Sequence, residues 1–258
     1  MVNNNSGFEV RLAKTSEDII ASQKLRYSVF VDEFGAKISK KQMKEKLEVD
    51  IFDSYCDHLL LIDKKKKSDL IEGKVVGVYR LMKHSNASNG IGFYSQKEYD
   101  LTLLFSSGMK CLELGRSCVA QEYRNGLALY LLWEALAQYV ANEKIDLLFG
   151  VASFNGVDPS KISKGLSILH HKYIAPKDLR ISALPHSYLS MNIIPMENIN
   201  YAEAMLQIPS LIKSYIRLGG VVGDGAFIDY NFNTIDVGII MDTKIVKKRY
   251  KKFNQKLF

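Results

Sequence analysis

Residues 111–133 read "CLELGRSCVAQEYRNGLALYLLW". An apolar run carrying Glu113 and Arg116 turns through Gly126 into a leucine-rich segment. Side-chain alternation predicts a strand over 111–120, with Glu113, Gly115 and Ser117 on one face. Arg116 falls on the other face unless a bulge intervenes, which would splay the strand and bring both charged side chains toward one place. A buried, unpaired charge is costly, so such groups are expected to pair or to do chemistry. The plain alternative is a Glu–Arg salt bridge on a sheet surface. Beyond Gly126, Leu129, Leu132, Trp133, Leu136 and Val140 recur at helical spacing, predicting an amphipathic helix over 127–143 that faces a sheet. The turn ahead of it offers helix N–H groups and the positive dipole end to a phosphate.

Working outward, "FEVRLA" (8–13) alternates as a first strand. Thr15 with Asp18 reads as an N-cap pair opening a helix through "EDIIASQKLRYSVFVDEF" (17–34), where Arg26 and Phe30 share a face four residues apart. "HLLLID" (58–63) and "KVVGVYRLM" (74–82) form a hairpin around a lysine loop, with Arg80 inside the second strand. "IDLLFGVASF" (145–154) reads as a buried strand. "GAFIDYNFNTIDVGIIMD" (225–242) reads as two strands about a turn at Asn231–Thr234. The order predicts an α/β fold, a mixed central sheet flanked by helices with a C-terminal extension. No linker or repeat divides the chain, so one domain over 1–258 is expected.

Composition narrows the function classes. The chain has 258 residues, 47% of them apolar, enough for a sizeable core. No apolar run reaches the roughly 18–20 residues of a membrane span, and the opening lacks a secretory signal. Cys56, Cys111 and Cys118 show no paired spacing, so a disulfide framework is not expected and the setting reads as cytoplasmic. Cys111 and Cys118, in an apolar strand, read as inert packing thiols. The acids of "LEVDIFDSYCDHLLL", Glu48, Asp50, Asp53 and Asp57 with His58, could hold a cationic ligand. Metal ligation through Cys56, Asp57 and His58 would need a second ligand cluster that is not found, so no metal is expected. Of the net charge of +7, the tail 244–258 supplies the whole, with seven Lys or Arg and no acid. If helical, it lines Val246, Tyr250, Phe253 and Leu257 on one face. Such a tail suits an anionic membrane surface or an acidic partner, and a solvated terminus is the alternative. No basic recognition helix or aromatic platform points to nucleic acid.

Together, "LRYSVFVDEFG", "EVDIFDSYCDHLLL", "GVYRLM", "LELGRSCVAQEYR", "LLW" with "LFGVASF", and "YIRLGGVVGDGAFIDYNFNTIDVGIIMD" resemble the ornithine N-alpha-acyltransferases of ornithine-lipid synthesis, members of the GNAT superfamily. The likeness covers about residues 8–250, with 160–258 as the family-specific C-terminal part. More distantly, Arg26, Phe30, Asp50, Asp53, Arg80, Glu113 and Arg116 are similar in order and character to the signature of acyl-homoserine lactone synthases. The lone Trp133, in the central helix, departs from that second family. The resemblance implies transfer of a 3-hydroxyacyl chain from acyl carrier protein to the α-amino group of ornithine, with no tightly bound cofactor beyond the carrier's phosphopantetheine thioester. Lactone synthesis, another N-acyl amino acid synthesis, or a non-catalytic carrier or membrane-surface module are the alternatives. For such a transfer the amine needs a base, for which Glu113 is the candidate, with Arg116 positioning it or the acceptor carboxylate, and Arg26, Phe30, Asp50, Asp53, Asp57 and Arg80 are expected on the substrate side. Ser117, Cys118, Val119, Arg124, Gly126 and Ala128 would hold the pantetheine arm. The loop "YRNGLA" has Tyr123 where GNAT enzymes place Gln or Arg, which suits a donor with one phosphate. The basic surface would meet the carrier protein and the inner membrane peripherally.

Overall fold

A computed structural model describes residues 2–3 and 7–254. The chain divides into two compact units, the first formed by residues up to Gly92 with Leu114–Lys144, the second by Phe93–Glu113 with residues from Ile145 onward. The strand Cys111–Val119 passes from one unit to the other, so each is described in turn.

In the first unit, Phe8–Leu12, Asp57–Asp63 and Lys74–Lys83 form an antiparallel meander. The two faces of this sheet follow from alternation. Leu60 opposes Val78, and both pack with Ala21, Leu25 and Val29 of the N-terminal helical segment. Leu61 opposes Gly77 on the other face, where a Cβ on Gly77 would stand 3.0 Å from Leu132 of the helix Leu127–Asn142. Glycine there lets the helix approach the sheet closely. Helices therefore cover both faces, which explains why these strands are nearly continuous apolar runs.

The expected N-cap pair is a capping box. The Thr15 hydroxyl accepts from the Asp18 amide and the Asp18 carboxylate accepts from the Thr15 amide, opening the helix Ser16–Arg26. The expected continuous helix over 17–34 is corrected at its second half. After Arg26 the backbone widens into a π-helix, Tyr27–Glu33. Arg26 and Phe30 thus straddle a change of helical pitch, and four residues no longer make one turn.

In the second unit, Leu147–Asn155 pairs antiparallel with Thr234–Asp242, which pairs antiparallel with Val221–Asp229. The short strands Ser182–Ala183 and Tyr99–Asp100 continue the edge. The turn predicted at Asn231–Thr234 joins the hairpin, with Asn233 in the left-handed region at φ 55°. His170 and His171 lie in the last turn of the helix Ser163–Tyr173. No helix among the described residues is long and apolar enough to cross a membrane.

Candidate active site

The strand Cys111–Val119 is irregular at one residue. Arg116 sits at φ 49°, a left-handed conformation uncommon for a long side chain. That one residue breaks the alternation and re-aims the side chains beyond it.

In the first unit Arg116 enters a closed ring of alternating charge. Its Nε donates to Glu48 at 3.2 Å and an Nη donates to Asp50 at 2.8 Å. Asp50 accepts from Arg80 at 2.5 Å, and Arg80 also donates to Asp53 at 2.8 Å. Asp53 accepts from Arg26 at 2.7 Å, and Arg26 closes the ring by donating to Glu48. Gln23 adds a donor to Asp53 at 3.0 Å. Three guanidinium groups thus balance three carboxylates in a space from which Arg26 is fully excluded from water. The predicted residues Arg26, Asp50, Asp53, Arg80 and Arg116 come together here. Glu48, which the sequence left among loop acids, is the sixth member.

The arginines of the ring lower the carboxyls of Asp50 and Asp53. Burial alone would raise the Asp53 carboxyl, but Arg26 and then Arg80 hold it well below the usual carboxylate range. Burial likewise opposes ionisation of Asp50, and Arg116 with Arg80 outweigh it. Beside the ring, His58 has Nε2 3.0 Å from the Asp53 carbonyl, and burial pushes its imidazole below the ordinary histidine value. His170 is lowered by burial and by the neighbouring His171.

These directions set a pH profile. A histidine lowered on folding favours the neutral native form, so its contribution is lost as pH falls below about 6.5. Depressed aspartates contribute stability that is present above their unfolded pKa of about 3.9 and lost as pH falls through their lower folded values. Calorimetric midpoints should therefore be level from about pH 7 to 8, decline below about 6.5, and drop more steeply below about 4. A midpoint that stays level down to about pH 5 would contradict the lowered histidines, His58 above all.

Other expected residues lie elsewhere in this unit. Asp57 accepts from the Tyr139 hydroxyl at 2.6 Å and pairs with Lys83 at 3.3 Å. Phe30 packs at the edge of the core formed by Ala21, Leu25 and Val29. Cys118 is buried, which pushes its thiol up to about 12 and leaves it inert at neutral pH. Arg124 forms a two-point pair with Glu33 at 2.5 and 2.7 Å, its guanidinium 5.6 Å from the centre of the Phe34 ring. Gly126, at φ 96°, caps the helix Leu127–Asn142, and Ala128 is buried in its first turn. The departure at Tyr123 has a local reason. Its hydroxyl donates to Asp63 at 2.7 Å and its ring meets Phe8 edge-on, so the side chain anchors the loop to the meander.

In the second unit Glu113, opposite Phe149, is the last residue of the parallel pairing and keeps 5% of its surface exposed. Its Oε2 accepts from the Tyr94 amide at 2.9 Å. Its Oε1 accepts from the Ser95 amide at 2.8 Å and the Ser95 hydroxyl at 2.5 Å. Sequence reasoning missed Ser95, because nothing in "FYSQKEYD" marks a hydroxyl that folds back onto a carboxylate 18 residues on. His171 Nε2 lies 2.9 Å from the Ile194 carbonyl, a packing contact at a helix end.

The mixed α/β fold is that of the GNAT acyltransferases. A family profile described as "Acetyltransferase (GNAT) domain" matches residues 25–134. The chain belongs to the L-ornithine N(alpha)-acyltransferase family. The Rhodobacter capsulatus protein of that name is 44% identical over 95% of this chain and 94% of its own length. The one from Brucella abortus is 43% identical over 94% of this chain and 86% of its own. The same fold occurs in an N-acyl amino acid synthase from uncultured soil microbes, with TM-score 0.55, 9% identity and 94% of each chain covered. It also occurs in a CoA-dependent acyl-homoserine lactone synthase, with TM-score 0.51, 11% identity and 95% of each chain covered.

Proposed function

We propose that the chain transfers a 3-hydroxyacyl group from the phosphopantetheine thioester of acyl carrier protein to the α-amino group of ornithine, giving lyso-ornithine lipid. Membership in a family whose members carry the ornithine N-acyltransferase name, over nearly the whole chain, supports the acyl transfer and its acceptor.

The chemistry forms one C–N bond and breaks one C–S bond, and the amine proton finally leaves with the carrier thiol. An α-amine with a pKa near 8 is mostly protonated at neutral pH and needs a base. Glu113 takes that role, with the Ser95 hydroxyl and two amides fixing its orientation. Backbone N–H groups of Ser117–Val119, beyond the left-handed turn at Arg116, stabilise the tetrahedral oxyanion. Arg124, Gly126 and Ala128 serve the donor arm, where the helix Leu127–Asn142 offers its N-terminus to the single phosphate. Arg26, Asp50, Asp53, Arg80 and Arg116, neutralised with Glu48, shape the acceptor side.

The exposed Lys244, Lys247, Lys248 and Arg249 begin the basic helix Thr243–Asn254, which suits the acidic carrier and an anionic membrane surface. Tyr250 and Phe253, expected on its apolar face, have side chains outside the described residues, as does Leu257 entirely; Val246 is half-buried.

The test is product mass after incubation with 3-hydroxyacyl carrier protein and a panel of amino acids including ornithine and lysine, with the matching acyl-CoA in parallel. An N-acylornithine formed from the carrier substrate and at least about tenfold more slowly from acyl-CoA supports the proposal. Equal rates from both donors, or an adduct with another amino acid only, would overturn the donor or the acceptor.

A further inference from the structure

A cluster of acids in the second unit has no role in the acyl transfer proposed above. In its long hairpin, Asp229 lies directly opposite Thr234, and Phe227 opposite Asp236. Opposed residues share a face of a sheet, and so do residues two apart in a strand. Asp229, Thr234 and Asp236 therefore project from one face. Glu98, next to the edge strand Tyr99–Asp100, reaches the same place. One carboxylate oxygen from each of Glu98, Asp229 and Asp236 lies within 4.8 Å of the others. The three residues keep only 3%, 8% and 4% of their surface exposed.

A second observation points the same way. The Thr234 hydroxyl oxygen is buried and has no hydrogen-bond partner, on a residue only 9% exposed. A hydroxyl in that position costs free energy unless something accepts or coordinates it. Its strand places it beside Asp229 and two residues from Asp236, on the face where the carboxylates converge.

The surroundings are held firmly. Asp229 Oδ1 accepts from the amides of Asn231 at 2.7 Å and Phe232 at 3.0 Å. The Tyr99 hydroxyl donates to the carbonyls of Gly225 at 3.0 Å and Asp236 at 3.1 Å. The Glu98 amide donates to the Ser95 carbonyl at 3.0 Å. Three carboxylates this close, in a site of low dielectric, repel one another strongly. Metal–oxygen distances of about 2.3–2.6 Å place ligand oxygens up to about 5 Å apart, which these spacings meet. The donor set is all oxygen, without nitrogen or sulfur, and so suits a hard cation rather than zinc or copper.

We propose that Glu98, Asp229 and Asp236, with the Thr234 hydroxyl, form a binding site for a hard divalent cation of the calcium, magnesium or manganese class. The ion ties the segment that carries Ser95 and Glu98 to the Val221–Asp242 hairpin. Because Ser95 also holds Glu113, the ion braces the candidate base without touching it.

The test uses the full-length protein stripped with EDTA and titrated with Mn2+, followed by electron paramagnetic resonance. One saturable Mn2+ per chain is expected, with a dissociation constant below about 1 mM and displacement by Ca2+ or Mg2+. Thermal denaturation should show a midpoint rise of about 5 °C or more at a hundred times that constant. Asp236→Asn should weaken the ion at least about tenfold, since it removes one of the three carboxylate ligands. Thr234→Val, nearly isosteric, should weaken binding without unfolding the chain and decides the matter if Asp236→Asn does not fold. Absence of saturable Mn2+ binding in the wild type, or equal binding by wild type and the folded variants, would overturn the proposal.

Discussion

Replacing Arg26 by Met should destabilise the protein by about 3–5 kcal/mol, the range seen when one partner of a buried ion pair is removed. The side chain has no exposure to water and donates to both Glu48 and Asp53. Methionine fills most of the volume but leaves the ring with two cations against three carboxylates. Removing the exposed pair Lys41–Glu45, whose side chains are 81% and 44% exposed, should by contrast change stability by no more than about 1 kcal/mol. Urea denaturation checks both. Adding Glu48→Gln to Arg26→Met restores charge balance, so the double variant should lose less than the sum of the two single losses. A midpoint for Arg26→Met within error of wild type would mean that the ring is not held together by charge.

The other large effect falls on turnover. Glu113→Gln should lower kcat by about 10²–10⁴, the usual loss when a general base is removed. The amide is close in shape and keeps an oxygen for the Ser95 hydroxyl and amide, so secondary structure should survive. Its nitrogen, however, meets the Tyr94 amide, which donates to the other oxygen in the wild type. The pH dependence separates base from orienting group. Loss of the acidic limb of the kcat/KM profile marks the base, whereas a lower kcat with that limb intact marks a residue acting through its neighbours. Activity within about twofold of wild type would remove Glu113 from the chemistry altogether.

What the sequence showed and what it hid divide along distance in the chain. The Thr15–Asp18 box, the 58–82 hairpin and the helix beyond Gly126 rest on neighbours within a few residues, and all three formed as expected. At Arg116 the sequence left open a regular strand with a surface Glu–Arg pair or a bulge, and the φ of 49° there breaks the regular strand. The partners of Arg116 were not legible. Its acids, Glu48 and Asp50, stand 68 and 66 positions away, in a stretch whose composition looks like any acidic loop. The switch from α- to π-helix after Arg26 also has no local mark, because "YSVFVDE" satisfies either pitch. Tyr123 looked like the loss of a phosphate-loop residue, and only its bond to Asp63 shows that it anchors that loop.

The charged ring also has a consequence for the order in which the chain assembles. Its links span 22, 27, 30, 66 and 68 positions, so no short fragment can contain it. A half-built ring would strand charge in a closing core, a state more costly than leaving every member in water. Its six side chains are therefore expected to dock together, after the meander has collapsed and past the folding barrier. Arg26→Met should then fold at nearly the wild-type rate and unfold faster, the stability it loses appearing almost wholly as a shortened lifetime of the native state.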